Sequence, residues 1–176
     1  MKSYSTHDIG EFEIKSGNVI VSDPCYERGS RCAGTLSNVK KGKWCAKVLR
    51  TEEVFGGNRV AALVVHHSSL TDLSSRSYEW EWERCKTEIG VDSGQAGIFD
   101  EPEFHSEDGD YYNPNSWYRK CCNNTTEGLC GGTIEGGAVS SSGFGDGGYS
   151  FSTITIKGKV IAIMIDYGLM EEEEED

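Results

Sequence analysis

Apolar and polar residues alternate with a period of two through most hydrophobic stretches of this chain, and that period predicts β-strands. The clearest case is residues 149–156 (YSFSTITI), followed by the turn Lys157-Gly158-Lys159 and by residues 160–167, with Ile161, Ile163 and Ile165 on one face. Together they predict a β-hairpin. Residues 60–67 (VAALVVHH) form a nearly continuous β-branched run, the pattern of a central strand buried on both faces. Residues 44–49 predict an antiparallel partner for it across a turn at Gly56-Gly57. Near the N-terminus, Phe12 and Ile14 alternate with charge, a turn follows at Gly17, and residues 18–22 resume the apolar pattern, which predicts another hairpin.

The middle of the chain is less regular. Tyr78, Trp80 and Trp82 alternate with glutamates over residues 78–86, which reads as a half-exposed strand. Residues 89–100 read as a turn or single helical turn feeding a short strand over 96–99. Residues 101–128 are long and polar, but Tyr111, Tyr112, Trp117 and Tyr118 argue for an ordered segment, with a short helix over 116–122 turning two aromatics and the Cys121-Cys122 pair inward. The sum is seven to nine strands with little helix. The expected fold is mainly β: a single-domain antiparallel β-sandwich or partly closed barrel over residues 1–170, followed by a disordered acidic tail over 171–176.

Composition narrows the functional classes. The 176 residues carry a formal net charge of −12, and the EEEEED tail holds six of the acidic residues. An acidic body with a single short basic stretch, Lys40-Lys41-Gly42-Lys43, speaks against binding a phosphate backbone, so nucleic acid is not expected as a partner. No apolar run approaches membrane-spanning length, and no apolar leader follows Lys2, so no membrane association and a cytoplasmic location are expected. Seven cysteines at irregular spacing then read as reduced thiols. The gap between Cys122 and Cys130 is too loose for a zinc knuckle.

Glycines, aspartates and tyrosines cluster at three corners beside predicted strands, which together hold six of the 22 glycines. These are Ser22-Asp23-Pro24-Cys25-Tyr26, the run from Val91 to Asp100 (VDSGQAGIFD), and the run from Ser142 to Tyr149 (SGFGDGGY). Asp23 can cap a turn through its own side chain or serve as a ligand carboxylate. Cys25 could act as a nucleophile if His66 or His67 supplied a base. The small residues around Asp92 leave backbone N–H groups available as an anion-binding nest, and Gln95 can both donate and accept hydrogen bonds. The third corner lacks the Gly-Lys-Ser/Thr ending of a phosphate loop and precedes a strand instead of opening a helix, so it is no nucleotide fingerprint.

These corners, with the strand VIAIMIDYG that follows, resemble a group of uncharacterised bacterial and phage-associated proteins, the DUF4241-like proteins, over roughly residues 17–167. The resemblance implies no activity. It implies that Asp23, Asp92, Gln95, Asp100, Asp146 and Tyr149 sit together. The cysteine-rich middle and the acidic tail fall outside it.

The expected function is a non-enzymatic binding protein. A cleft lined by Asp23, Tyr26, Asp92, Gln95, Asp100, Asp146 and Tyr149 would recognise a small polar ligand or a basic protein partner. The alternative is a hydrolase using Asp92, Asp100 or Asp146 as a general base or metal ligand. No cofactor is predicted, although the carboxylates leave a divalent metal open.

Overall fold

The computed structural model describes residues 4–51, 58–70, 80–105 and 113–169. In chain order the strands are β1 (Tyr4–Ile14), β2 (Val19–Ser22), β3 (Gly34–Leu36), β4 (Gly42–Thr51), β5 (Val60–His67), β6 (Glu83–Val91) and β7 (Gln95–Asp100). A 3-10 turn (Glu101–Glu103) and one helix, α1 (Trp117–Thr125), come next, and then β8 (Gly131–Ile134), β9 (Gly137–Ser141), β10 (Gly147–Ile156) and β11 (Lys159–Asp166). Six strands form one antiparallel sheet in the order β1-β4-β5-β11-β10-β6, and five form a second in the order β3-β2-β7-β9-β8. Neither sheet closes on itself, so of the two expected architectures the sandwich is the one observed.

The inward faces of both sheets meet in one core. Trp44, Ala46 and Val48 of β4, Leu63 and Val65 of β5, and Ile163 and Ile165 of β11 face Val19, Val21, Ala96, Ile98 and Ala138 of the smaller sheet. The period-two pattern that predicted strands thus also assigns their faces. A second cluster lies outside the smaller sheet, where Ile20, Phe99 and Val139 are covered by Phe104, Trp117 and Cys121. Helix α1 begins at the N-cap Ser116, whose hydroxyl accepts from the Arg119 amide at 3.2 Å. It buries Trp117 and Cys121, while Tyr118 and Cys122 are half-buried.

The β10–β11 hairpin forms as expected, with Lys157 and Gly158 both at positive φ (51° and 78°). That backbone matches the twist of the flanking strands. The pairing of β4 with β5 also forms, from Trp44 opposite His67 through to Arg50 opposite Val60. The predicted hairpin across Gly17 does not. β1 pairs with β4, whereas β2 pairs with β3 and β7, so the Gly17 turn carries the chain from one sheet to the other. Residues 78 and 79 of the aromatic-charged stretch lie outside the described residues. Trp80 and Trp82 precede the strand, which starts at Glu83 and runs on through residues read as a turn.

On the outer face of the larger sheet, Leu49, Ala62, Val64 and Met164 pack with Trp82 and Leu169. His66 sits at the margin of this face with 6% of its surface exposed, in edge contact with Trp80 at 5.6 Å. Its Nδ1 donates to the His67 carbonyl at 3.0 Å. Burial holds its pKa below the usual 6.5, outweighing the hydrogen bond to His67, and Lys47 pushes the same way while Asp8 opposes. The unfolded chain therefore binds a proton that the folded chain refuses. His66 contributes stability that is present above about pH 6.5 and is lost as pH falls below it, at up to about 1.4 kcal/mol per pH unit. Urea denaturation between pH 7.5 and 5 should show this slope, and His66→Gln should flatten it. An unchanged slope in the variant contradicts the assignment.

Candidate functional site at one end of the sandwich

Strand register places residues 22–26, 91–95 and 142–149 at the same end. Ser22 closes β2 opposite Gly97, Gln95 opens β7 opposite Ser141 at the end of β9, and Gly147 opens β10 opposite Val91 at the end of β6. Asp23 joins the first two corners. It is fully buried, and its carboxylate accepts four hydrogen bonds. Oδ1 receives the Cys25 amide at 2.8 Å and the Ser93 hydroxyl at 2.6 Å. Oδ2 receives the amides of Asp92 at 2.9 Å and Ser93 at 2.7 Å. Backbone donors aimed at one buried carboxylate satisfy N–H groups that the turns leave without strand partners.

The third corner is tied in more lightly. Asp146 accepts from the Gly94 amide at 3.1 Å, and the Ser142 amide donates to the Gly94 carbonyl at 3.1 Å. The loop itself is braced from within. Ser142 donates its hydroxyl to the Gly145 carbonyl at 2.8 Å, the Gly145 amide returns to Ser142 at 3.1 Å, and the Tyr149 hydroxyl donates to Gly145 at 2.6 Å. This bracing presents Phe144 outward with 61% of its surface exposed. The Arg59 guanidinium stacks 4.4 Å from its ring centre and donates to the Gly143 carbonyl at 3.3 Å.

The other expected site residues divide. Asp92 and Asp146 are exposed on this rim and Tyr149 lies beneath it. The Tyr26 hydroxyl is turned toward Cys32, and burial, reinforced by that thiol, pushes its pKa up to about 12. Gln95 is buried and engaged by α1: its amide donates to Cys122 Sγ at 3.4 Å, and its carbonyl accepts from Thr125 at 3.2 Å. Asp100 is not on this rim. It ends β7 at the opposite end, roughly 17 Å along the strand from Gln95. There its carboxylate accepts from the Lys15 amide (2.9 Å), the Ser16 amide (3.2 Å) and the Ser16 hydroxyl (2.5 Å), and so caps the sheet-crossing turn.

The Cys25–histidine dyad does not assemble. Cys25 is on the rim, whereas His66 and His67 end β5 at the far end of the larger sheet. Burial, with the charge and hydrogen bond of Asp23 adding to it, raises the Cys25 thiol to about pKa 12, the reverse of what a nucleophile needs. All seven cysteines are free thiols. Among the described residues no three His, Cys, Asp or Glu side chains stand together closely enough to hold a metal ion. No helix among them is long and apolar enough to cross a membrane.

Sequence reasoning missed Phe144, Arg59 and Ser93. Phe144 carried a signal, a lone aromatic between glycines in a polar loop. Arg59 and Ser93 join the site only through tertiary contacts. No family model matches the chain, and neither does a curated protein or a solved structure. The likeness to DUF4241-like proteins rests on the quoted motifs alone.

Proposed function

We propose that this is a non-enzymatic binding protein that recognises a basic protein partner through the rim formed by residues 23–26, 91–95 and 142–149. The observation that carries this reading is the braced 142–149 loop, which holds an exposed phenylalanine beside two exposed carboxylates, Asp92 and Asp146. The loop holds a large apolar side chain outward with the Arg59 guanidinium stacked on its ring, and the exposed remainder suits a partner pocket. The surrounding carboxylates and the net charge of −12 favour a cationic surface around that pocket. Hydrolysis fits less well. Asp100 is spent on a turn, and Asp92 and Asp146 are exposed carboxylates without the burial that would shape a general base. Seven free thiols are in keeping with a reducing, cytoplasmic setting.

Binding to an array of lysine- and arginine-rich peptides and folded basic proteins tests this. The expected result is binding that weakens with salt and falls at least about tenfold in Phe144→Ala and in the double variant Asp92→Asn/Asp146→Asn, with melting temperature unchanged. Salt-independent binding, or variants that bind as the parent does, contradicts it.

A further inference from the structure

The end of the sandwich opposite the rim carries charge of the other sign. The segment between β3 and β4 runs against the start of β11. The Lys40 amide donates to the Val160 carbonyl at 2.9 Å, and the Val160 amide donates to that of Asn38 at 2.8 Å. This brings Lys40 and Lys41 beside the β10–β11 turn with its Lys157 and Lys159. Lys41, Lys157 and Lys159 are exposed and Lys40 is half-buried. Among the described residues none of the four forms an ion pair. Ile156, just before the turn, has 48% of its surface exposed.

A cavity of about 450 Å³ opens next to this segment, at the edge formed by β2 and β3. Val19, Ile20 and Leu36 give it an aliphatic wall, and the exposed Thr35 also lines it. Leu36 ends β3, and Lys40 follows four positions later. Glu101 is the one carboxylate lining the cavity, and Arg28 neutralises it through a 2.6 Å ion pair. Glu11, Glu13, Glu103 and Glu135 surround a different cavity, against β1 and β8. The β2–β3 cavity is therefore an aliphatic recess with unpaired cations beside it.

These features complement the rim, where the exposed Phe144 stands beside Asp92 and Asp146. The last described residue, Leu169, is also at the rim end, where its carbonyl accepts from the Tyr4 hydroxyl at 3.0 Å, and six acidic residues follow in sequence at 171–176. Resting on the rim reading above, we propose that the basic partner is a second copy of this chain. Phe144 of one copy enters the β2–β3 cavity of the next, and Asp92 and Asp146 face Lys40, Lys41 and the β10–β11 turn. The contact cannot close within one molecule, because the braced loop lies beyond one end of the strands and the cavity lies toward the other. At about 0.15 M salt, charges more than about 8 Å apart are largely screened, so the facing ends decide the contact and the net charge of −12 does not forbid it. The two surfaces differ, so the contact is heterologous. Each pair keeps one free rim and one free cavity, and association continues into rings or open chains.

Sedimentation velocity of the full chain over a concentration series at about 0.15 M salt tests this. The expected average mass rises with concentration and falls again at about 0.5 M salt. Association weakens at least about tenfold in Phe144→Ala, in Lys40→Glu/Lys41→Glu, and in Thr35→Trp, which fills the cavity from an exposed strand position. Circular dichroism of each variant establishes that it is folded. Mixing Phe144→Ala with Thr35→Trp restores one contact, between the intact cavity of the first and the intact rim of the second, and stops at a one-to-one complex. Thr35→Trp binds the unrelated basic proteins of the array as the parent does, because its rim is untouched. A chain that stays monomeric to about 1 mM, while it binds those proteins and Phe144→Ala loses them, overturns this inference and leaves the rim reading standing. A monomeric chain that binds none of them overturns both. Self-association that Thr35→Trp leaves unchanged, or a mixture of the two variants that forms no complex, also overturns the second-copy assignment.

Discussion

Replacing Asp23 with alanine is expected to destabilise the protein by about 4 kcal/mol, read from the shift in urea midpoint. The carboxylate has no exposed surface and accepts from three backbone amides and one hydroxyl. Truncation leaves all four donors without their acceptor. Each hydrogen bond to a charged group is worth about 1.5–3 kcal/mol, and water reaching the exposed Ser93 recovers part of the loss. Asp23→Asn should cost about 2 kcal/mol, because its amide NH₂ faces donors where an acceptor stood. Asp146→Ala removes one bond at an exposed carboxylate and should cost less than about 1 kcal/mol. Equal effects at Asp23 and Asp146 would mean that Asp23 does not organise this end of the sandwich.

The second large effect is expected at Phe99. Phe99→Ala should cost about 3–5 kcal/mol and reduce the helical signal of α1. The ring is fully buried outside the smaller sheet, 5.3 Å from the ring of Phe104 and 5.1 Å from that of Trp117. It lies directly over Gly97 and Gly137; a Cβ at Gly137 would approach its Cδ1 to 2.6 Å, and one at Gly97 would collide with its Cζ. The glycines allow the ring to lie flat on the backbone, and the ring in turn is the floor on which Trp117 docks. Nine residues of the sequence WYRKCCNNT make a helix too short and too poor in propensity to persist alone. Retention of α1 with a loss below about 1 kcal/mol would show that other contacts hold it.

Much of this architecture could be read from the chain. Strict alternation located β10 and β11, the β-branched run located β5, and Ser116 with the following aromatics located α1. Faces were legible because a strand's period is two, but partners were not. Phe12 and Ile14 and then Val19 and Val21 all turn inward, and nothing local distinguishes a hairpin from a turn that changes sheets. The deciding contact is Asp100, which caps that turn from 84 and 85 positions away. At Trp80 and Trp82 period two misled, because the aromatics cover the sheet while the charged edge strand begins after them. Charge on both faces suits an edge strand and leaves little alternation to detect.

For the site, the turn-capping role of Asp23 was visible in Asp-Pro-Cys, and the 2.8 Å bond from the Cys25 amide is that cap. Its reach to Asp92 and Ser93, 69 and 70 residues on, was not visible. Gln95 and Asp100 drew attention for the same polarity that the fold spends internally, Gln95 on α1 and Asp100 on the sheet crossing.

The central claim is that Asp23 welds distant turns into one preformed surface. Residue-resolved amide hydrogen exchange tests it most directly. The account predicts that the amides of Asp92 and Ser93 exchange slowly, at rates near those of β7 and β9, and become fast in Asp23→Ala while the core strands stay protected. Exchange of those two amides at the rate of an open loop in the parent protein contradicts it.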